Sequence, residues 1–208
     1  MKATKKIFPI LMIFFFSSLA NCQQLSEENG ELVGGPCEGC EAIFEFGDRQ
    51  LTNTDTLPGF EQAADKLKIT GTIYKADGET PVENVVLYIY HTNKEGVYPT
   101  QGDEEGWGRR HGYIRGWIKT DADGRYTFYT RMPGSYSSNP AHIHPTILEP
   151  NGRYYYIEEY RFKGDPNLNK YRESNPRGGS GIVEINRWSD VLTIERDIIL
   201  GLNIPGYK

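Results

Sequence analysis

Short segments rich in β-branched and aromatic residues, most of them bounded by turn signals, follow one another from residue 67 to residue 200. Residues 68–74 alternate along the chain, and Asp77-Gly78 after them is typical of a hairpin turn. This region shows almost none of the 3.6-residue apolar period of an amphipathic helix. The candidate strands are 68–74, 85–90, 113–120, 125–130, 141–148, 153–162, 181–185 and 192–200. The pattern predicts an all-β fold, an antiparallel β-sandwich.

The first residues predict export. Three lysines within the first six residues precede an apolar stretch at 7–16, which is too short to span a bilayer as a mature helix. The Leu-Ala-Asn-Cys sequence at 19–22 then resembles the lipobox of bacterial lipoproteins. We therefore expect residues 1–21 to be a lipoprotein signal peptide and Cys22 to carry the lipid. The alternatives are an ordinary signal peptide or a buried apolar segment with a chance cysteine.

Lipidation at this position predicts a protein anchored in the cell envelope, at the outer membrane or the cell surface, facing an extracytoplasmic compartment. Residues 23–36 are polar, acidic and rich in glycine, so we expect 22–40 to be a flexible tether and 41–208 to be one domain. Removal of 1–21 takes three lysines and no acid, which changes the formal net charge from -5 to -8. This acidic balance argues against nucleic acid as a partner.

Cys37 and Cys40 form a CxxC pair near the end of this tether. The spacing suits a redox pair, half of a metal site or a local disulfide. No second CxxC and no paired histidine motif completes a zinc site, and an exported chain lies in a compartment that permits disulfides. We therefore predict a disulfide that pins the N-terminal segment and has no catalytic part.

His142-Ile143-His144 is the sharpest local motif in the chain. On a strand, residues i and i+2 point to the same face about 6–7 Å apart, so the two imidazoles can converge on a metal ion. The alternative is two polar histidines on a solvated strand face. Tyr98 and Tyr136 precede the motif, and phenol ligation requires a strongly polarising ion because tyrosine titrates near 10. Ferric iron meets this requirement better than zinc.

Residues 70–166 resemble intradiol ring-cleavage dioxygenases such as catechol and protocatechuate dioxygenases. The matching segments, in chain order, are Gly71-Thr72-Ile73, Gly96-Val97-Tyr98, Arg115-Gly116, Thr120-Asp121-Ala122-Asp123-Gly124-Arg125-Tyr126, Pro133-Gly134-Ser135-Tyr136, Pro140-Ala141-His142-Ile143-His144 and Gly164-Asp165-Pro166. Any one segment is weak evidence, but their order along the chain is specific. The short gap between Tyr136 and His142 resembles the exported members of the family.

The resemblance implies a sandwich of the intradiol dioxygenase and transthyretin-like type that binds Fe(3+). It implies that Tyr98 and His142 are equatorial ligands and that Tyr136 and His144 are axial ligands. The implied substrates are a small aromatic diol and O2, and the ring is cleaved between the two hydroxylated carbons. Tyr136 would leave the iron and take a substrate proton. No oligomeric state is predicted.

Two positions differ from the family pattern. An arginine usually stands three residues before the first histidine, where it stabilises negative charge, and in this chain that residue is Asn139. A family glutamine before the Gly-Asp-Pro turn is replaced by Glu159. We place both residues in the catalytic set with Tyr136. Loss of the fixed positive charge could cost several kcal/mol of transition-state stabilisation, unless another arginine replaces it; the candidates are Arg131, Arg153 and Arg161.

The remaining aromatic and histidine residues receive structural interpretations. We expect His91 to be structural, and His111 either to be structural or to line the mouth of the pocket. Trp107, Tyr113 and Trp117 are expected in the core.

Two functions besides ring cleavage stay open. A non-catalytic, transthyretin-like binding module would share the strand pattern, and an iron protein could bind catechols without turnover.

Overall fold

The computed structural model describes residues 26–187 and 189–208. The predicted signal peptide 1–21 and the lipidated Cys22 lie outside the described residues. The all-β prediction is confirmed, since twelve strands and one four-residue α-helix occur in the described part. No helix in that part is both long enough and apolar enough to cross a membrane.

Most of the elements are strands, and most of the strands are short. In chain order they are β1 (Glu31–Leu32), β2 (Thr54–Thr56), β3 (Lys66–Tyr74), β4 (Val86–His91), β5 (Arg115–Lys119), β6 (Arg125–Arg131), β7 (His142–Leu148), β8 (Arg153–Tyr156), β9 (Tyr160–Phe162), β10 (Ile182–Val183), β11 (Leu192–Glu195) and β12 (Ile198–Ile199). The α-helix α1 is Gly108–His111, and the 3-10 helices are Glu27–Asn29, Cys40–Phe44 and Pro166–Lys170.

Within the described residues the strands form two sheets. The larger sheet has the order β1-β8-β7-β4-β5, with β9 beside β7 and β10 beside β9. The smaller sheet has the order β11-β3-β6-β2, with β12 beside β3. The central pairs β3–β6, β4–β5 and β4–β7 are antiparallel, as predicted. The pairs made by β1, β2, β10, β11 and β12, all of them short strands, are parallel.

Side-chain alternation on β4 explains how the larger sheet is buried on both faces. Leu87 and Ile89 enter a core shared with Ile69 of β3 and Phe128 of β6, so the two sheets pack against each other. Full burial of such a side chain contributes about 1.5–3 kcal/mol. Tyr88, between them on the chain, faces the opposite side of the sheet.

The outer face of the larger sheet is covered by the 3-10 helix at 40–44. Ala42 and Ile43 are fully buried against Tyr88 and Trp117. The Trp117 indole N–H donates to the carbonyl oxygens of Ala42 and Ile43 at 3.2 and 3.1 Å. Trp117 therefore lies in a core, as the sequence predicts.

The structure packs the second half of the predicted tether against the domain. β1 pairs with β8, and Cys40, which is 1% exposed, is joined to Cys37 by a disulfide with 5.6 Å between the Cα atoms. The apolar outer face of the larger sheet needs a cover, and this segment supplies it. The boundary of the folded part thus lies before residue 31 rather than at residue 41.

Candidate metal centre and active site

Two histidines project from the outer face of β7. Ile143 and Ile147 of this strand point into the core between the sheets, so His142 and His144 face outward. Their ring centroids are 4.6 Å apart with the planes at 85°. The strand thus presents two imidazoles to one point.

Two tyrosines meet these histidines from loops. The Tyr98 hydroxyl lies 2.8 Å from Nε2 of His144, and the Tyr136 hydroxyl lies 3.2 Å from Nε2 of His142. The two phenol rings are 6.2 Å apart between centroids. The structure therefore brings together all four residues that the sequence proposes as metal ligands.

The close approach of the two tyrosine loops depends on Gly96. This residue has φ +73°, a conformation that favours glycine. A Cβ there would lie 2.5 Å from the Ser135 carbonyl oxygen and 3.0 Å from Cβ of Tyr136. A glycine at position 96 is thus required for Tyr98 and Tyr136 to lie side by side.

The second nitrogen of each histidine has a fixed acceptor. Nδ1 of His142 lies 2.7 Å from the Pro140 carbonyl oxygen, and Nδ1 of His144 lies 2.9 Å from a carboxylate oxygen of Glu159. These acceptors hold the proton on Nδ1 and leave the Nε2 lone pairs directed at the tyrosines. Metal-binding histidines have this arrangement.

Burial controls the protonation of the cluster. It lowers the pKa of His142, which keeps that imidazole neutral and able to bind a metal ion. Burial, followed by the hydrogen bond to Tyr136, raises the pKa of Tyr98 well above its usual range. Tyr98 therefore ionises only beside a strong cation, and two phenols with two imidazoles fit a ferric ion.

Glu159 lies at this centre although it is distant in sequence from the HxH motif. The predicted strand 153–162 is interrupted between β8 and β9, both of which pair with β7, and the interruption places the Glu159 carboxylate beside His144. Burial opposes ionisation of Glu159. The hydrogen bond from Nδ1 of His144, followed by electrostatic attraction from the two histidine rings and the Arg161 guanidinium, outweighs burial and lowers the pKa of Glu159 to about 2.

The sequence analysis places Glu159 in the catalytic set but not among the metal ligands. The ligand atoms of His142, His144 and Glu159 lie within 4.8 Å of one another, so these three residues could also hold a metal ion. Glu159 contacts Nδ1 of His144, however, whereas Tyr98 contacts Nε2. Its position suits orientation of the ring.

Asn139 makes no side-chain contact with the four candidate ligands among the hydrogen bonds of the described residues. Its side chain is exposed and has no hydrogen bond among the described residues. Its backbone N–H donates to the Tyr136 carbonyl oxygen at 3.0 Å, which closes the turn that carries Tyr136. Among the three arginines considered from the sequence, Arg161 reaches the site through ion pairs with Glu158 and Glu159.

Tyr90 is a residue of the site that the sequence does not single out. It pairs with His144 across β4 and β7, and its ring stacks on His144 at 4.6 Å and 16°. On its other side it stacks on His111 at 3.7 Å and 4°. Trp107 lies 5.5 Å beyond His111. His111 and Trp107 therefore line the pocket, and Trp107 also packs, half-buried, against the outer core.

His91 has the structural role that the sequence predicts. It is fully buried on the inner face of β4, with Nδ1 2.7 Å from the Thr92 carbonyl oxygen and Nε2 2.7 Å from the Thr130 hydroxyl. Burial lowers the pKa of His91 to about 4. It thus joins the two sheets as a neutral side chain.

Known proteins share the sequence pattern around this site. Residues 45–171, more than half of the chain, match the family model described as "Dioxygenase". Over 144 residues the chain is 30% identical to the protocatechuate 3,4-dioxygenase beta chain of Burkholderia cepacia, and over 124 residues 30% identical to catechol 1,2-dioxygenase 1 of Acinetobacter lwoffii. The chain belongs to the intradiol dioxygenase family. Members of this family use non-haem ferric iron.

These matches are partial. They cover 64% of this chain and 59% of the B. cepacia protein, and 51% of this chain and 39% of the A. lwoffii protein. Among solved structures, mercury-inhibited catechol 1,2-dioxygenase from Acinetobacter sp. ADP1 matches 74% of this chain and 58% of its own, at 21% identity and a TM-score of 0.58. The dioxygenase domain of a carbohydrate-binding fusion from Streptomyces sp. SirexAA-E matches 74% of this chain and 90% of its own, at 18% identity and a TM-score of 0.55. These two similarities show the fold.

Proposed function

We propose that this protein is a non-haem iron(III) dioxygenase that cleaves catechol-type rings between the two hydroxylated carbons and adds both atoms of O2. The proposal is carried by one observation. Tyr98 and Tyr136 place their hydroxyls 2.8 and 3.2 Å from the Nε2 atoms of His144 and His142. Two anionic oxygens and two neutral nitrogens form a donor set for a hard, highly charged ion.

The residues of the chain have separate roles in this proposal. Tyr98, Tyr136, His142 and His144 would hold the iron, which supplies the electronic activation of the bound diol toward O2. The Tyr136 oxygen, as a phenolate, would accept a proton from a substrate hydroxyl. Glu159 holds the His144 ring through Nδ1.

The pocket supports the binding of a small aromatic ring. A cavity of about 210 Å³ adjoins Tyr98, Tyr136 and His144. Tyr90 and Trp107 line its other side, so an aromatic substrate meets mainly aromatic walls.

The location of the enzyme is part of the proposal. We infer from the lipobox-like sequence that Cys22 carries lipid and that the protein acts on exogenous aromatic compounds at the cell envelope. The shared core between the two sheets supports a sandwich of the transthyretin-like type. Membrane fractionation of wild type and Cys22→Ser tests the anchor, and equal solubility of the two would refute it.

Metal analysis with a visible spectrum tests the function most directly. The purified mature chain, loaded with ferric iron, should hold close to one iron and be coloured by tyrosinate-to-iron charge transfer. Catechol should then consume one O2 per ring and give a muconate-type dicarboxylate. A colourless protein that takes up zinc but no iron contradicts the proposal.

A second candidate function is binding of an iron–catechol complex without turnover. The exposed Asn139 favours it, since no arginine stands at the family position beside the donors. Arg161, the cation that approaches the site, is already paired with Glu158 and Glu159. Colour and catechol binding without oxygen consumption would support this function. A non-catalytic module without the iron site would show neither.

A further inference from the structure

The disulfide loop, residues 36–40, forms a wall of the pocket. Besides the 210 Å³ cavity at the tyrosines, a second cavity of about 260 Å³ also borders His144. Tyr90 and Glu38 border both cavities, and the rest of the loop borders the second one. The wall lies before residue 45, where the family match begins. It is thus a feature of this chain that the family match does not cover.

The loop is held firmly against the site. Cys40 is buried in the outer core, and Gly39 has φ +88°. A Cβ at Gly39 would lie 2.7 Å from Nε2 of His111. The Nδ1 atom of the same His111 ring lies 2.8 Å from the Tyr88 hydroxyl, so the ring cannot easily move away. The loop therefore fixes where Glu38 stands.

Glu38 forms an ion pair with Arg110 across the mouth of the pocket. Arg110 belongs to α1, and its guanidinium lies 5.8 Å from the Trp107 ring centroid. Glu38 and Arg110 both line the cavity that Tyr98 and Tyr136 border. Their side chains are 70% and 63% exposed, so an entering ligand can reach both. At the mouth each charge is neutralised by the other.

We propose that the Glu38–Arg110 pair is a charge filter that selects catechols with uncharged ring substituents. A carboxylate on the ring could bind Arg110 only by displacing Glu38, and the two anions would then lie close together. A methyl, methoxy or hydroxyl substituent leaves the pair intact. The inference rests on the proposed function, because it concerns the substrate of the same site.

Two substitutions with opposite expected effects test the filter. Glu38→Gln frees the Arg110 guanidinium and should raise the preference for protocatechuate over 4-methylcatechol by roughly threefold to tenfold. Arg110→Gln leaves Glu38 unpaired and should lower this preference by a similar factor. The measurements are dissociation constants without oxygen, read from the visible band of the ferric protein, and kcat/KM with oxygen.

Neighbouring residues supply matched controls. Arg109→Gln removes an exposed guanidinium beside Arg110 that donates to the Glu104 carbonyl oxygen. Asp48→Asn removes an exposed carboxylate ten positions after Glu38. Neither Arg109 nor Asp48 lines a cavity that Glu38 or Arg110 borders, so both variants should keep the wild-type preference.

The outcomes separate the inference from the proposed function. A coloured wild type that cleaves catechol but prefers protocatechuate overturns the filter and leaves the dioxygenase intact. The filter is also overturned when both pocket variants shift the preference in the same direction or not at all. If the ferric protein binds catechols without turnover, the dissociation constants alone show whether the two pocket variants shift the preference in opposite directions. A wild type with no iron colour and no catechol binding overturns both proposals.

Discussion

The two halves of the candidate metal centre are held in different ways. His142 and His144 stand on a central strand, and each has an acceptor for its second nitrogen. Tyr98 and Tyr136 stand on loops that approach each other at Gly96, and Tyr136 sits in a turn with exposed residues. Side chains on a rigid strand suit retention of a metal ion, whereas side chains on loops can move more readily. Substitutions in the two halves should therefore differ in their effects on iron retention and on turnover.

The largest effect is expected in the histidine half. His142→Ala or His144→Ala removes one of two neutral nitrogen donors, so iron affinity should fall at least roughly 100-fold. His91→Asn is the matched control, since His91 is buried and structural. It should lower the Tm and keep the iron. Iron content with the visible spectrum measures the first effect, and both alanine variants retaining full colour would place the metal elsewhere.

A large effect is also expected where the two loops meet. In Gly96→Ala the new methyl group would contact the Ser135 carbonyl oxygen, and the left-handed backbone would be strained by about 1 kcal/mol or more. The tyrosine hydroxyls should then separate, with a weaker and shifted charge-transfer band. Gly102→Ala is the control, because Gly102 has φ +101° but no atom within 4 Å of a Cβ. Equal spectra for the two variants would contradict the role of Gly96.

Tyr136→Phe should affect reaction more than iron retention. Tyr98 and both histidines remain, so iron should stay bound with less colour. Loss of the proton acceptor should lower kcat by roughly 10²- to 10⁴-fold. Oxygen uptake and iron analysis on the same sample test this, with Tyr113→Phe as the control because Tyr113 packs against the core between the sheets. A Tyr136→Phe protein with wild-type turnover would show that this hydroxyl takes no proton.

The smallest effect is expected at Asn139. Asn139→Arg restores a cation next to the turn of Tyr136 and should raise turnover on plain catechol up to roughly tenfold, with iron content unchanged. Electron-rich rings such as hydroxyquinol should react faster than protocatechuate in the wild type. Oxygen consumption with these substrates measures both. Lower activity of the arginine variant on catechol would contradict the role of a missing cation.

The sequence predicts the strand-borne half of the site through local geometry. The i, i+2 spacing of His142 and His144 places two imidazoles on one face of any strand. Local geometry does not identify the two tyrosine ligands, since fourteen tyrosines occur in the chain. Only the resemblance to the family selects Tyr98 and Tyr136. The all-β class followed in the same way from alternation and turn signals.

Tyr90, Glu38 and the position of Glu159 could not be predicted, because each depends on contacts between distant segments. Tyr90 reaches His144 through the register of β4 on β7. Glu159 reaches it because one predicted strand divides into two that both pair with β7. Polar, glycine-rich composition indicated a tether at residues 31–40, but composition does not reveal that an apolar sheet face elsewhere needs a cover.

The pairing of β1 with β8 limits how far the folded domain can lie from residue 22. Nine peptide units separate Cys22 from Glu31, the first residue of β1. A fully extended chain of that length reaches about 30 Å, which is comparable to the thickness of a bilayer's hydrocarbon core. With lipid on Cys22, as proposed, the domain would remain within roughly one domain diameter of the membrane surface. Substrates that partition into lipid headgroups would then reach the enzyme at a raised local concentration.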